Sequence, residues 1–405
     1  MNKAELITLE QNHGARNYSP LDVVLTRGEG VWVYDSDGKR YLDCLSSYSA
    51  LNQGHCHPRL VAALTQQAQK LTLSSRAFHN DQYPLLLARL AQLTEYETAL
   101  PMNTGVEAVE TALKLARKWA YVVKKVPLNR AEIIVAANNF HGRTITAISF
   151  STEQHYREYF GPHTPGFHPV PFGDIVALEK AITPRTAAIL LEPIQGEAGV
   201  IMPPPGYLRA VEACCKRENV LLLMDEIQTG LGRTGKFFAY QHEQVHPDVV
   251  IIGKALGGGM YPVSGILAHR TLMDLFKSGE HGSTFGGNPL GAAVAIEALN
   301  VLIDEDLTEN AAQQGEYLLQ RLRAFNSPLI KEVRGQGLLI GIELHPEAGG
   351  ARRFCEALKD QGLLCKETHE NVIRIAPPLI IDRPTLDWAI VRLESVLDAS
   401  LASVQ

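Results

Sequence analysis

No apolar run in this 405-residue sequence approaches the roughly 20 residues that a membrane-spanning helix needs, so a helical membrane protein is excluded. An excess of charge of one sign is missing as well: 44 acidic residues face 38 lysines and arginines. The formal net charge is −6, and no long basic run points to nucleic acid or an acidic membrane surface as a partner. Cysteine is sparse: Cys44, Cys56, Cys214, Cys215, Cys355 and Cys365 form no CxxC and no regular spacing. That argues against a disulfide framework and fits reduced thiols in a cytoplasmic enzyme. Residues 1–20 lack the apolar core of a secretory signal and are too acidic for a typical transit peptide, so a cytoplasmic location is expected. Internal repeats and low-complexity segments are absent. The run HCHP at 55–58 invites zinc, but adjacent side chains diverge and no ligand pair of zinc spacing accompanies them. A structured loop is expected there, and no metal.

What is present is an alternation of apolar strands and amphipathic helices, the pattern of an α/β layer fold. The length suggests two or more domains. GVWVYDSDGKRYLDCLS reads as a β-hairpin turning at Asp37-Gly38. NTGVEAVETALKLARKWAYVV reads as a helix with Val106, Val109, Leu113 and Ala116 on one face. EIIVAA, AAILLEPI, VLLLMDEI and VVIIGKAL read as strands, with a helix at GYLRAVEACCKREN. This spacing suits a mostly parallel sheet with right-handed crossovers. Near residue 300 the texture changes to a smaller α+β pattern, closed by a helix over 383–404. The expected division is an N-terminal segment, 1–50, packing with the small domain; a large domain, 51–300; and a small C-terminal domain, 301–405.

Ligands of open α/β sheets bind outside the carboxyl ends of the strands. VLLLM ends in Asp225, and VVII ends in Gly253-Lys254 with three glycines after Ala255-Leu256, backbone that lets something approach closely. The bland reading is an ion pair. The chemical reading is pyridoxal phosphate, whose aldehyde condenses with a lysine and whose ring nitrogen takes an acidic partner. A phosphate seat is offered by Thr104-Gly105, where a helix begins, and by Ser283 and Thr284 among glycines. Phe140 follows the strand EIIVAA and suits the flat face of the ring, or else a plain core position. Arg143 and Arg374 suit carboxylates, or else surface ion pairs. Two such grips fit a dicarboxylate such as 2-oxoglutarate. Glu197, flanked by small residues, is placed to mask one of them, and Glu192 reads as a buried structural acid. Arg233 reads as a loop or interface arginine.

EPIQGEAGV, DEIQTGLGRTGKFFAY, GKALGGGMYPVSG and HGSTFGGNPLGAAVA resemble the class III aminotransferases, of the fold-type I pyridoxal phosphate enzymes. The likeness spans nearly the whole chain. It implies a large domain with a mostly parallel sheet, a smaller α+β domain, and a homodimer with active sites at the subunit interface. It implies Lys254 as the lysine that binds the cofactor and Asp225 as the partner of the ring nitrogen. Gln228 matches the residue beside the ring's O3′, and Phe140, with His141 next to it, the stacking aromatic. Thr104, Gly105 and Val106 match the phosphate cup, completed by the Ser283–Thr284 loop of the partner subunit. Tyr48, Arg143, Glu197 and Arg374 match the substrate pocket. LSSYSALNQGHCHP, SRAFHN, PMNTGVEA, NFHGRT and NVIRIAPPL are most similar to members that take the δ-amine of ornithine and pass it to 2-oxoglutarate. Other amino donors of that kind, N-acetylornithine, 4-aminobutyrate and lysine, stay open, as does an aminomutase that needs no external oxo acid. His79, in SRAFHN, departs from the tyrosine of animal relatives.

Overall fold

The computed structural model describes residues 1–398; the end of the expected last helix, 399–405, lies outside the described residues. Three sheets organise the chain. The N-terminal strands β1 (Leu25–Glu29), β2 (Trp32–Asp35) and β3 (Arg40–Asp43) form an antiparallel meander. The central strands are β4 (Thr98–Met102), β5 (Glu132–Ala136), β6 (Phe167–Val170), β7 (Thr186–Leu191), β8 (Leu221–Asp225), β9 (Val249–Ile252) and β10 (Ser264–Ala268). The C-terminal strands are β11 (Ile330–Gln336), β12 (Leu339–Leu344), β13 (Leu363–Leu364), β14 (Lys366–Thr368) and β15 (Val372–Ile375).

The central sheet has the order β4-β10-β9-β8-β7-β5-β6. Neighbours pair in parallel from β9 through β6, whereas β10 runs antiparallel to both β9 and β4. Every residue of β5, β7, β8, β9 and β10 is buried, as a sheet covered on both faces demands. Alternate side chains feed two cores. Ile133, Val135, Leu223 and Ile251 face the helix Gly105–Val122, while Ile134, Leu222, Met224 and Val250 face the other layer. The strands β4, β6 and β10 escape the sequence pattern. Each carries a proline or glycine in its interior, Pro101, Pro169 and Gly265, where a strand is weakened.

The C-terminal sheet, β11-β12-β15-β14, is wholly antiparallel. In the third sheet, order β1-β2-β3-β13, the meander of the first 50 residues gains a parallel partner from residues 363–364. Beyond β3 the backbone turns left-handed: Ser46, Ser47, Tyr48 and Ser49 have φ of 50°, 47°, 61° and 72°. Such backbone costs roughly 1–2 kcal/mol for each residue with a Cβ, so this turn is held by its surroundings.

The glycines beyond Lys254 serve the chain itself. Gly259 has φ 71°, and a Cβ there would lie 2.2 Å from Leu51 Cδ2. The close neighbour is therefore the segment that follows the left-handed turn, rather than a ligand. The HCHP loop is held by acids: His55 Nε2 lies 2.8 Å from Asp43 Oδ2, and His57 Nε2 3.0 Å from Glu305 Oε1. Among the described residues no helix is long and apolar enough to cross a membrane.

Candidate active site

The carboxyl ends of β5, β7, β8 and β9 converge on one cavity of about 200 Å³. β5 leads into Phe140 and His141, β7 into Glu192, β8 into Asp225 and Gln228, and β9 into Lys254. Gly105 and Val106, the first residues of the helix Gly105–Val122, close another wall. In the ladder Asp225 pairs with Ile251, so Lys254 emerges just past the neighbouring rung. The lysine itself has a left-handed φ of 43°, an uncommon conformation for a side chain of this size.

Lys254 Nζ makes no hydrogen bond or ion pair with any described residue. Burial lowers the amine below the usual lysine range, against the opposing pull of Glu197 and Asp225. Asp225 Oδ2 lies 2.6 Å from His141 Nδ1, and its Oδ1 accepts from the Ile227 N–H at 3.0 Å. Burial pulls the His141 imidazole down, yet the hydrogen bond and charge of Asp225 hold it above its ordinary value. Glu192 accepts from the Phe140 N–H at 3.1 Å, and burial pushes its carboxyl up to about 7. It fixes the backbone of an aromatic wall, a use that its sequence position did not reveal.

A second cavity of about 330 Å³ adjoins the first and shares Phe140 and Glu197 with it. Tyr48, Arg143 and Arg374 line it. Arg374 Nη1 donates to Glu197 Oε1 at 2.6 Å, and Gln228 Nε2 donates to the same oxygen at 2.8 Å. Burial works to raise the Glu197 carboxyl, but Arg374, Lys254 and Gln228 outweigh it and hold the group below its usual range. Gly196 makes this contact possible, since a Cβ there would lie 1.6 Å from Gln228 Oε1. The Arg374 guanidinium stands 4.9 Å from the centre of the Tyr48 ring, and Arg143 lies 4.0 Å from that of Tyr156.

Among the described residues lining these cavities, five buried polar atoms have no protein partner: Asn139 Oδ1, His141 Nε2, Gln228 Oε1, Glu367 Oε2 and Arg374 Nε. Buried polar atoms are nearly always satisfied, so the site is built for a polar ligand. The donor set fits a pyridine aldehyde phosphate. It has a free amine, an acid, an aromatic wall, and a helix start whose first N–H groups have no intrahelical partner.

Seven of the cofactor candidates thus share one cavity: Gly105, Val106, Phe140, His141, Asp225, Gln228 and Lys254. Thr104, Ser283 and Thr284 do not line it. Thr104 sits at the helix start with its N–H given to Glu107 Oε2 at 2.8 Å. Ser283 Oγ accepts from Asn103 Nδ2 at 2.7 Å, and Thr284 is exposed. His79 is exposed and lies outside both cavities. Tyr18 and Tyr156 line the second cavity without any signal in their local sequence. Arg233 does lie in a turn, but it is fully buried there, donating to the carbonyls of Leu338 and Pro377 at 2.9 and 2.5 Å and to Asn52 Oδ1 at 2.6 Å. Burial brings its guanidinium down to about 9.

Known proteins share this fold. The family description "Aminotransferase class-III" matches residues 13–397. An ornithine aminotransferase of Bordetella pertussis is 58% identical over 389 residues, covering 96% of this chain and 94% of that protein. One from Brevibacillus brevis is 57% identical over 393 residues, covering 96% and 98%. The crystal structure of the ornithine aminotransferase from Toxoplasma gondii ME49 is similar with a TM-score of 0.98 at 44% identity, covering 100% of this chain and 97% of that one. An acetylornithine aminotransferase structure from Elizabethkingia anophelis is similar with a TM-score of 0.89 at 47% identity, covering 98% and 99%. A lysine and an acid at adjacent strand ends, in a fold matched over nearly its whole length, place the chain in the class-III aminotransferases, which are pyridoxal phosphate-dependent enzymes.

Proposed function

We propose that this chain transfers the δ-amino group of ornithine to 2-oxoglutarate, giving glutamate 5-semialdehyde and glutamate, with pyridoxal 5′-phosphate held in the first cavity. The observation that carries the reading is Arg374 masked by Glu197 beside a free Lys254 amine. Pyridoxal phosphate supplies an aldehyde for the amine and a ring that takes up the electron pair left when a C–H bond breaks. With the cofactor bound, Lys254 would be the base that takes and returns the proton at the substrate Cδ. Its depressed basicity keeps more of it in the neutral form that this work requires. Asp225, backed by His141, would favour a positive charge at the ring nitrogen, Phe140 would cover the ring face and Gln228 would stand beside O3′. The amides of Gly105 and Val106 would receive the phosphate.

The substrate end follows from the two arginines. Arg143 takes the carboxylate of ornithine and Tyr48 its polar end, while Glu197 neutralises Arg374 so that no α-carboxylate docks beside the cofactor. When the oxo acid binds, Glu197 swings away, Arg374 takes the α-carboxylate and Arg143 the distal one. The exposed Ser283–Thr284 loop, with Phe285 46% exposed, fits a homodimer in which that loop completes the phosphate site of the other subunit. The division at residues 50 and 300 and a cytoplasmic location belong to the same reading.

N-acetylornithine is a second reading, favoured by the likeness to the Elizabethkingia structure. A panel of ornithine, N-acetylornithine, 4-aminobutyrate and lysine with 2-oxoglutarate tests it. Ornithine should lead in kcat/KM by at least about tenfold, the scale of discrimination that a few polar contacts give. A lead for N-acetylornithine would replace the first reading by the second.

The Glu197→Ala variant isolates the switch. The ornithine half-reaction should slow by about tenfold or more, since an unmasked Arg374 favours binding through the α-carboxylate. The glutamate half-reaction should hold or quicken. Single-turnover rates of each half, with melting temperature as control, decide it. Equal slowing of both halves with lost stability would mean a permanent structural pair.

A further inference from the structure

The left-handed turn at Ser46–Ser49 stands directly against the second cavity and carries Tyr48. It does not satisfy itself. The Ser46 and Ser49 hydroxyls are buried without partners. Inside the turn, Tyr48 N–H donates to the Leu45 carbonyl at 3.0 Å and Ala50 N–H to that of Ser46 at 2.8 Å. The entry is held from outside. Asp43, the last residue of β3, accepts with Oδ1 from the N–H groups of Leu45 and Ser46 at 2.9 and 2.8 Å. Its other oxygen faces His55 Nε2 at 2.8 Å. His55 is itself fixed by a backbone bridge to Gly30, with N–H···O distances of 2.7 and 3.0 Å. Neither residue lines either cavity.

We propose that Asp43 and His55 are positioning residues for donor choice: their pair clamps the left-handed turn and so fixes where Tyr48 stands against Arg374. The proposal rests on the reading of Tyr48 as a substrate residue. A carboxylate bridging two consecutive N–H groups sets the direction in which the chain leaves β3. The imidazole sets the direction of the carboxylate. Without them the chain has little reason to stay left-handed through four residues with side chains, and the Tyr48 hydroxyl loses its place. Lys254, Asp225 and the phosphate wall are built on other elements and keep theirs.

The test compares holoenzyme variants by the ratio of kcat/KM for ornithine to that for 4-aminobutyrate, which lacks the α-amine. Asp43→Ala should lower this ratio by about tenfold, the scale of a lost polar recognition. The glutamate half-reaction should change by less than about threefold. Amide hydrogen exchange at Leu45, Ser46 and Tyr48 should rise by about tenfold or more while β8 and β9 stay protected. Adding Ser47→Gly to Asp43→Ala should restore much of the ratio, because glycine adopts positive φ at little cost. His55→Ala, which leaves both N–H···Oδ1 bonds possible, is the milder variant where Asp43→Ala fails to fold, and should lower the ratio by about threefold. An unmoved ratio in the clamp variants, or a parallel loss for all donors, overturns the clamp when Tyr48→Phe does move the ratio. If Tyr48→Phe leaves it unmoved too, the reading of Tyr48 has failed, and the proposal with it.

Discussion

Lys254→Ala is expected to abolish steady-state turnover, with a fall of at least ~10³-fold, because the proposed function gives the lysine two tasks, covalent anchor and proton carrier. The fold should survive. The lysine amine contributes no hydrogen bond, and burying it already works against its charged form. A melting temperature equal to or above that of the parent is therefore expected. Cofactor should remain in the protein through its phosphate and ring contacts, although less tightly. Borohydride reduction followed by peptide mass spectrometry separates the cases: the parent should carry the cofactor's mass on the peptide containing Lys254, and the variant should carry none. Turnover at the parent rate, or labelling of another lysine in the parent, would remove the central assignment.

Asp225→Asn is the second large effect. The amide keeps the shape and the acceptor for the Ile227 N–H but surrenders the negative charge. His141 then loses the group that holds its imidazole above the ordinary value, and the ring nitrogen loses the partner that favours its protonation. Electrostatic support aimed at charge that develops during reaction is worth about 10²–10³ in rate when one such group is removed. The covalent link to Lys254 should persist, so mass labelling stays positive while kcat falls. That split distinguishes this variant from the lysine variant. Rates within about twofold of the parent, roughly 0.4 kcal/mol, would deny Asp225 its role.

Lys254 and Asp225 were legible because a strand end is a fixed address. The run of apolar residues fixes the strand, and the first polar residue past it falls at the sheet edge where ligands bind. The cavity wall at the helix start was legible from the sequence. Gly105 and Val106 follow from a helix start, whereas Ser283 and Thr284, singled out with them, do not line the cavity. Tyr18 and Tyr156 were not legible, since each reaches the pocket only because distant segments fold over it. The glycines after Lys254 were legible as a place of close approach, but what approaches, Leu51 and Leu60, depends on tertiary packing. Glu192 was discounted as structural because nothing local shows that its carboxylate meets the Phe140 amide 52 residues away. Of the strands missed, β10 is the instructive one. Its Gly265 and its place after a glycine-rich turn give it the composition of a loop, and only pairing on both sides makes it a strand.

Arg233 ties Asn52 to Pro377, contacts that span 181 and 144 residues of sequence. Contacts of such range bear the entropy of closing long loops before they return anything, so they form late in folding. During synthesis a chain that has not reached Pro377 leaves this guanidinium without one of its acceptors, and Arg374 is missing by the same measure. Completion of the pocket thus waits until synthesis has passed Pro377. A chain cut short of Arg374 leaves the Arg233 guanidinium short of an acceptor at a place where the full fold buries it completely.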